Sequence, residues 1–206
     1  MEILSKLFGS SARIKIMKLF LSNPDDVFNN KEISKRAKVV LATVRKELNL
    51  LDKISFINKK AAVAKIKKTA SAIRRSKNGK KASGCILNPN FPFLAPLQNL
   101  LIKNSPLESK EIIGRLKGGG KLKLVIASGV FIQDLDSRID ILIVGGDLNN
   151  AYLERALRIL ESEIGQELRY VILDTPDFEY RLGVYDKLLR DVLDYPHKKL
   201  INKLNL

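Results

Sequence analysis

Residues 31–51, KEISKRAKVVLATVRKELNLL, constrain this chain more than any other stretch, because they hold two apolar periodicities only a few residues apart. Val40, Val44, Leu48 and Leu51 recur at i, i+4, i+8 and i+11, which predicts one buried helix face. Just upstream, Ile33 and Ala37 mark a shorter amphipathic helix. Two short helices joined this tightly have the spacing of a helix-turn-helix. Away from its apolar positions the second helix carries Ala42, Thr43, Lys46 and Asn49, with Arg45 on its flank. Small, polar and cationic side chains are what a helix lying in a DNA major groove needs. The plainer alternative is a pair of ordinary packed helices whose charges are solvated.

Charge along the chain bears on that choice. The 206 residues carry a formal net charge of +15, unevenly spread. Lys and Arg outnumber Asp and Glu by 10 to 6 over residues 1–52, by 12 to none over 53–107, and trail 15 to 16 over 108–206. Positive charge concentrated beside a helix-turn-helix pattern points to a polyanionic partner. Other classes fall away. The longest uncharged apolar run, residues 124–132, is too short to span a bilayer, and the first 20 residues lack the continuous apolar core of a signal peptide. One cysteine, Cys85, permits no internal disulfide, and with a single histidine, His197, it leaves too few ligands for a usual zinc site. A cytoplasmic protein without a membrane partner is the expectation.

In chain order, Ser10-Ser11 offers a helix N-cap, and Ile14, Met17, Leu19, Phe20 and Leu21 supply the apolar side of the following helix. Asn23-Pro24-Asp25-Asp26 ends it with turn chemistry. Val27-Phe28 is a candidate short strand, residues 54–57 (ISFI) read as another, and residues 85–87 (CIL) as its return. Helix, strand, two helices and a strand pair make a winged helix. The stretch LFGSSARIKIMKLFLSNPDDVFNNKEISKRAKVVLATVRKELNLLDKISFI resembles the winged-helix domain of bacterial regulators of the arsenical-resistance-repressor type. That resemblance implies that the second helix of the motif reads the groove, through Thr43, Arg45, Lys46 and Asn49, while the wing grips the backbone. Lys35, Arg36 and Lys38, just before that helix, are counted with the DNA contacts. The cysteine ligands of metal-sensing members are absent, so metal sensing is not implied.

The wing departs from that pattern. Residues 58–84, NKKAAVAKIKKTASAIRRSKNGKKASG, far exceed a normal hairpin connection and hold no acidic residue. Arg74, Arg75, Lys77, Lys80 and Lys81 lie in it as candidate phosphate contacts. Val63, Ile66, Ala70 and Ile73 keep a helical spacing, yet residues 63–68 equally suit an extension of the first wing strand, and both readings stand. A solvated loop is the plainer alternative to a basic arm. Residues 93–103 (FLAPLQNLLIK) read as a helix that either bridges two domains or builds a dimer contact. A boundary near Asn104-Ser105-Pro106 divides the chain into domains 1–104 and 105–206.

The second domain reads as a helix over 107–116, strands over 122–128, 139–144 and 168–173, an amphipathic helix through Leu153, Leu157, Leu160 and Ile164, and a helix started by Thr175-Pro176. A tail over 186–204 is expected to be helical on both sides of Pro196. The expected fold class is α+β in two domains: an N-terminal winged helix-turn-helix with an extended wing, then a small α/β domain with a mixed sheet.

Within it, LVIASGVFIQDLDSRIDILIVGG resembles the core of the nucleotidyltransferase superfamily, shared by polymerase-beta-like enzymes and minimal nucleotidyltransferases. The resemblance implies a Gly-Ser pair contacting phosphate after the first strand, and an Asp-x-Asp pair on the second holding two divalent metals. Here Ser128-Gly129 matches the start of the loop, but Val130 stands where the serine should. Asp140 matches one aspartate, but Arg138 replaces the other. Asp134 and Asp136 fall in the turn before the strand, and Asp174 is expected past the end of the third strand. Ser128, Gly129, Arg138 and Asp140 are thus candidates for a vestigial nucleotide site, with Asp140 more simply read as structural and Arg138 able to pair with it or with phosphate. No catalytic residue, metal or cofactor is assigned; magnesium enters only if the site is active.

The sequence thus leads to a regulator that binds double-stranded DNA, with a pseudo-nucleotidyltransferase domain for sensing or interaction. A second copy of the chain, and a nucleotide or protein effector at the C-terminal domain, complete the partners considered. Two rival readings stand beside it: an active nucleotidyltransferase targeted by its winged helix, and an RNA-binding protein, since a basic groove does not by itself distinguish the polymers.

Overall fold

The computed structural model describes residues 2–62, 82–103, 107–134 and 136–206. It separates into two compact units, Met1–Ile102 and Lys103–Leu206. No helix among the described residues is long and apolar enough to cross a membrane.

The first unit opens with α1 (Glu2–Phe8), a helix the sequence did not announce, and α2 (Ser11–Ser22). Ser10 caps α2, its hydroxyl accepting from the Arg13 amide at 3.1 Å. Phe28, expected in a short strand, forms an isolated antiparallel bridge with Cys85. α3 (Asn30–Ala37) begins with a full capping box: Asn29 Oδ1 accepts from the amides of Lys31 and Glu32, and the Glu32 carboxylate accepts from the Asn29 amide. α4 (Leu41–Lys53) follows after a three-residue turn. Its buried side is Val44, Leu48 and Leu51, as the periodicity predicts, but Val40 stands outside it. Val40 is the N-cap residue, already off the helical path, and is 74% exposed.

β1 (Ile57–Ala62) starts three residues later than expected, because Ser55 sits at φ 60 and turns the chain while Phe56 plugs the core. It pairs antiparallel with β2 (Ala82–Leu87), Ile57 opposite Leu87 and Ala62 opposite Ala82. The helix-or-strand question over 63–81 lies outside the described residues. The expected 93–103 helix is α5 (Leu94–Gln98), continued by a π-helical turn, Asn99–Lys103, in which Leu101 is buried. One core joins α2, α3, α4 and the hairpin; Phe20 meets Phe28 edge-on at 5.6 Å and Phe56 meets Phe91 at 5.4 Å.

The second unit is a mixed four-stranded sheet with helices on both faces. Its elements are α6 (Ser109–Leu116), β3 (Lys121–Ala127), β4 (Ile141–Gly146), α7 (Asn150–Ile164), β5 (Tyr170–Asp174), α8 (Thr175–Gly183), α9 (Lys187–Asp194) and β6 (Lys198–Asn202). Strand order is β5-β4-β3-β6, with β4 and β5 parallel and the other pairs antiparallel. β6 corrects the expected helix after Pro196: the chain pairs there with β3, Val125 opposite Ile201. Asp174 is likewise corrected, being the last residue of β5, opposite Gly145. Alternate residues of β3 and β4 feed two cores: Val125, Ile141 and Ile143 pack with α6 and α7, whereas Leu124, Ile126, Leu142 and Val144 pack with α8 and α9. Burial on both faces accounts for the unbroken apolar runs of these strands.

Candidate functional site

The turn between α3 and α4 rests on two features. Lys38, the C-cap of α3, adopts a left-handed conformation at φ 54 and ψ 44. Ser34 Oγ donates to the Val39 carbonyl at 2.7 Å, and the Val39 amide returns to the Ser34 carbonyl at 3.2 Å. This closure sets where α4 begins. α4 is then fixed from its buried side by Glu47, which accepts from Ser10 Oγ at 2.7 Å and from Arg13 Nε at 2.8 Å. Sequence periodicity gave no sign of Glu47 or Ser34, since each is polar at a position whose partner lies elsewhere.

With that face pinned, Ala42, Arg45, Lys46 and Asn49 are exposed at i, i+3, i+4 and i+7, one stripe of the helix, and Thr43 is half-buried beside them. Lys35 and Lys38 are exposed on the preceding segment. Arg36 is half-buried, with its guanidinium carbon 5.1 Å from the centre of the Phe28 ring, a cation–π contact that holds it against the core. Arg74, Arg75, Lys77, Lys80 and Lys81 lie outside the described residues. At the base of the hairpin, Lys59 Nζ donates to Asp52 Oδ2 at 2.5 Å, and this hydrogen bond raises the lysine above its ordinary pKa. Cys85 is buried in β2; desolvation pushes its thiol up, against the opposing influence of Lys59.

In the second unit the four candidate nucleotide-site residues are close together, but most of their chemistry is engaged. Ser128 is buried and its hydroxyl donates to the Ile139 carbonyl at 2.6 Å. Gly129 has φ +53, and a Cβ there would stand 2.0 Å from Asp140 Oδ1. Asp140 is fully buried: Oδ1 accepts from the Val130 amide at 3.0 Å and Arg169 Nη2 at 3.1 Å, and Oδ2 accepts from the Arg169 amide at 2.8 Å and its Nε at 3.1 Å. The hydrogen bond to Asp140 raises the Arg169 guanidinium further above its already high value. Arg138 does not pair with Asp140. Its Nε lies 2.8 Å from Asp191 Oδ2 on α9, an electrostatic contact in which Oδ2 takes no hydrogen bond.

Arg138, Asp191, Asp134, Asp136 and Tyr195 line a cleft of about 280 Å³ beside the 128–139 loop. Asp134 is occupied locally, accepting from the Asp136 amide at 3.0 Å and the Ser137 hydroxyl at 2.9 Å. Among the described residues no group of three or more His, Cys, Asp or Glu is arranged to hold a metal. By their own chemistry, the two positions that the nucleotidyltransferase resemblance assigns to divalent ions do not fit that role: one is the cation Arg138 and the other is a carboxylate surrounded by donors.

No protein-family model matches the chain, and neither a curated protein nor a solved structure does.

Proposed function

We propose that this chain is a sequence-specific DNA-binding regulator whose first unit is a winged helix. Its α3–turn–α4 segment forms the helix-turn-helix, α4 is the recognition helix, and the β1–β2 hairpin with its basic connection is the wing. The observation that carries this reading is the exposed stripe Ala42, Arg45, Lys46 and Asn49 on a helix whose opposite side is buried and ion-paired. Arg and Asn match the donor and acceptor edges of guanine and adenine in a major groove, and Lys46 suits guanine or phosphate. Lys35 and Lys38 then reach phosphate, joined by Arg74, Arg75, Lys77, Lys80 and Lys81 of the connecting arm. Arg36 is set apart from these by its contact with Phe28.

The second unit is, in this reading, a nucleotidyltransferase-like domain without transfer chemistry, serving as a sensor or an interaction module. Its support is the complete engagement of Asp140 by Arg169 and two backbone amides. The cleft beside Arg138 is the opening through which a small effector would reach this unit.

The decisive experiment is selection of bound sequences from a random duplex library by the full chain. An enriched sequence supports the reading, and a palindrome within it would add a two-fold arrangement of two copies. Binding that falls equally on all duplexes, or that prefers single-stranded RNA, would overturn it. Neutralising Arg74, Arg75, Lys77, Lys80 and Lys81 together should flatten the dependence of affinity on salt, since each phosphate contact releases counterions.

A further inference from the structure

We infer that Val40 reads the C5-methyl group of a thymine, which names a base and a residue within the DNA-binding reading above and rests on it. The sequence periodicity places Val40 in the core face of α4, yet it is 74% exposed and occupies the N-cap of that helix with no side-chain cap hydrogen bond. This position normally favours Ser, Thr, Asp or Asn, whose oxygens satisfy the first free amides. The two preceding helices, α2 and α3, follow that preference, with Ser10 and Asn29 both capping through their side chains. At α4 the chain gives up the cap and exposes a branched apolar side chain to water instead. Among the described residues the packing of the unit does not compensate, because Val40 lies outside its core.

A recognition helix contacts base edges mainly through its N-terminal residues. Val40 therefore stands at the end that enters the groove first. Thr43, three residues on and one turn along the helix, is half-buried and carries a second methyl group towards this end. Among the four bases only thymine offers a methyl group in the major groove, and apolar side chains are its natural partner. The cationic and amide groups, Arg45, Lys46 and Asn49, lie further along the helix. The tip selects thymine by burying its methyl, and the middle of the helix selects neighbouring bases by hydrogen bonds.

The test uses the full chain and its best duplex from the selection, with each thymine replaced in turn by uracil, which removes only the methyl group. One such replacement should weaken binding by about fourfold, the value of one buried methyl-sized group. Val40→Ser should abolish that penalty while supplying the missing cap oxygen, so its unfolding midpoint should rise. Discrimination falling while stability rises separates a reading role from a structural one. The inference is overturned if no thymine is sensitive, if the preferred duplex has none, or if Val40→Ser keeps the same uracil penalty. In each of those cases sequence-specific duplex binding persists and the DNA reading survives; a chain that binds no duplex overturns both.

Discussion

Glu47 and Arg13 form an ion pair between α4 and α2, with Arg13 Nε 2.8 Å from Glu47 Oε2, the Arg13 side chain 25% exposed and that of Glu47 7%. Ser10 completes the arrangement, donating to Glu47 at 2.7 Å while capping α2. One carboxylate thus fixes the start of α2 and the orientation of the helix proposed to read DNA. Replacing Glu47 with Ala leaves Ser10 Oγ and Arg13 Nε without their acceptor, while Arg13 Nη1 keeps the Phe8 carbonyl. The expected loss of stability is about 2–3 kcal/mol, below that for a wholly buried pair because Arg13 retains some hydration. Urea unfolding measures it, and a loss under about 0.5 kcal/mol would mean that solvent already screens the pair.

Lys38 offers a change in the opposite direction. Its φ of 54 is a conformation in which a β-carbon crowds the following carbonyl. Lys38→Gly should remove that strain and stabilise the unit by about 0.5–1 kcal/mol after the greater backbone entropy of unfolded glycine is counted. Under the DNA-binding reading the same variant loses a phosphate contact, so affinity should fall as stability rises. A thermal melt and a salt titration of binding, run together, would expose either half of this expectation as wrong.

How far the sequence revealed these features depends on the range of the interaction. The buried side of α4 is visible because Val44, Leu48 and Leu51 repeat within one element. Val40 is misassigned by the same rule, since an N-cap residue leaves the helical phase that the rule assumes. β6 is hidden because KKLIN is short and basic, and its strand character comes from pairing with β3, over seventy residues earlier. Glu47 lies 34 residues from Arg13, and Asp140 lies 29 from Arg169, so no local pattern joins either pair. Arg138 and Val130 were legible in the sequence as departures from the nucleotidyltransferase pattern; the partner that occupies Asp140 was not.

Cys85 gives a pH dependence of known sign. Burial raises its thiol above the ordinary value, so the folded chain holds the proton longer than the unfolded chain. The associated stability is complete below the unfolded thiol value, about 8.5, and is lost as pH rises from there through the higher folded value. The difference in unfolding midpoint between the native chain and Cys85→Ala should therefore narrow steadily as pH climbs above that point. Taking the difference removes the contribution of lysines and tyrosines that titrate in both proteins. A constant difference across the alkaline range would show that the thiol is not held neutral by the fold.

Asp140 distinguishes a structural carboxylate from a metal ligand by the direction in which stability moves. In a metal-free two-metal site, converting one clustered carboxylate to an amide relieves repulsion between like charges and tends to stabilise the protein. Here the neighbours are Arg169 and the amides of Val130 and Arg169, all donors. Asp140→Asn would weaken the charge-assisted bonds and present an NH₂ group to one of these donors, so a loss of about 2–4 kcal/mol is expected. Magnesium or manganese should leave the unfolding midpoint of the native chain unchanged, because a ligand that binds only the folded state must raise it. Incubation with each labelled nucleoside triphosphate and either metal, with protein and RNA acceptors offered, should transfer no label. The Arg169→Ala variant provides the sharper control, since it leaves Asp140 buried without its charged partner. If that variant, or the native chain, binds magnesium and transfers label in a reaction that Asp140→Asn abolishes, the carboxylate belongs to a working site and the second unit is an enzyme.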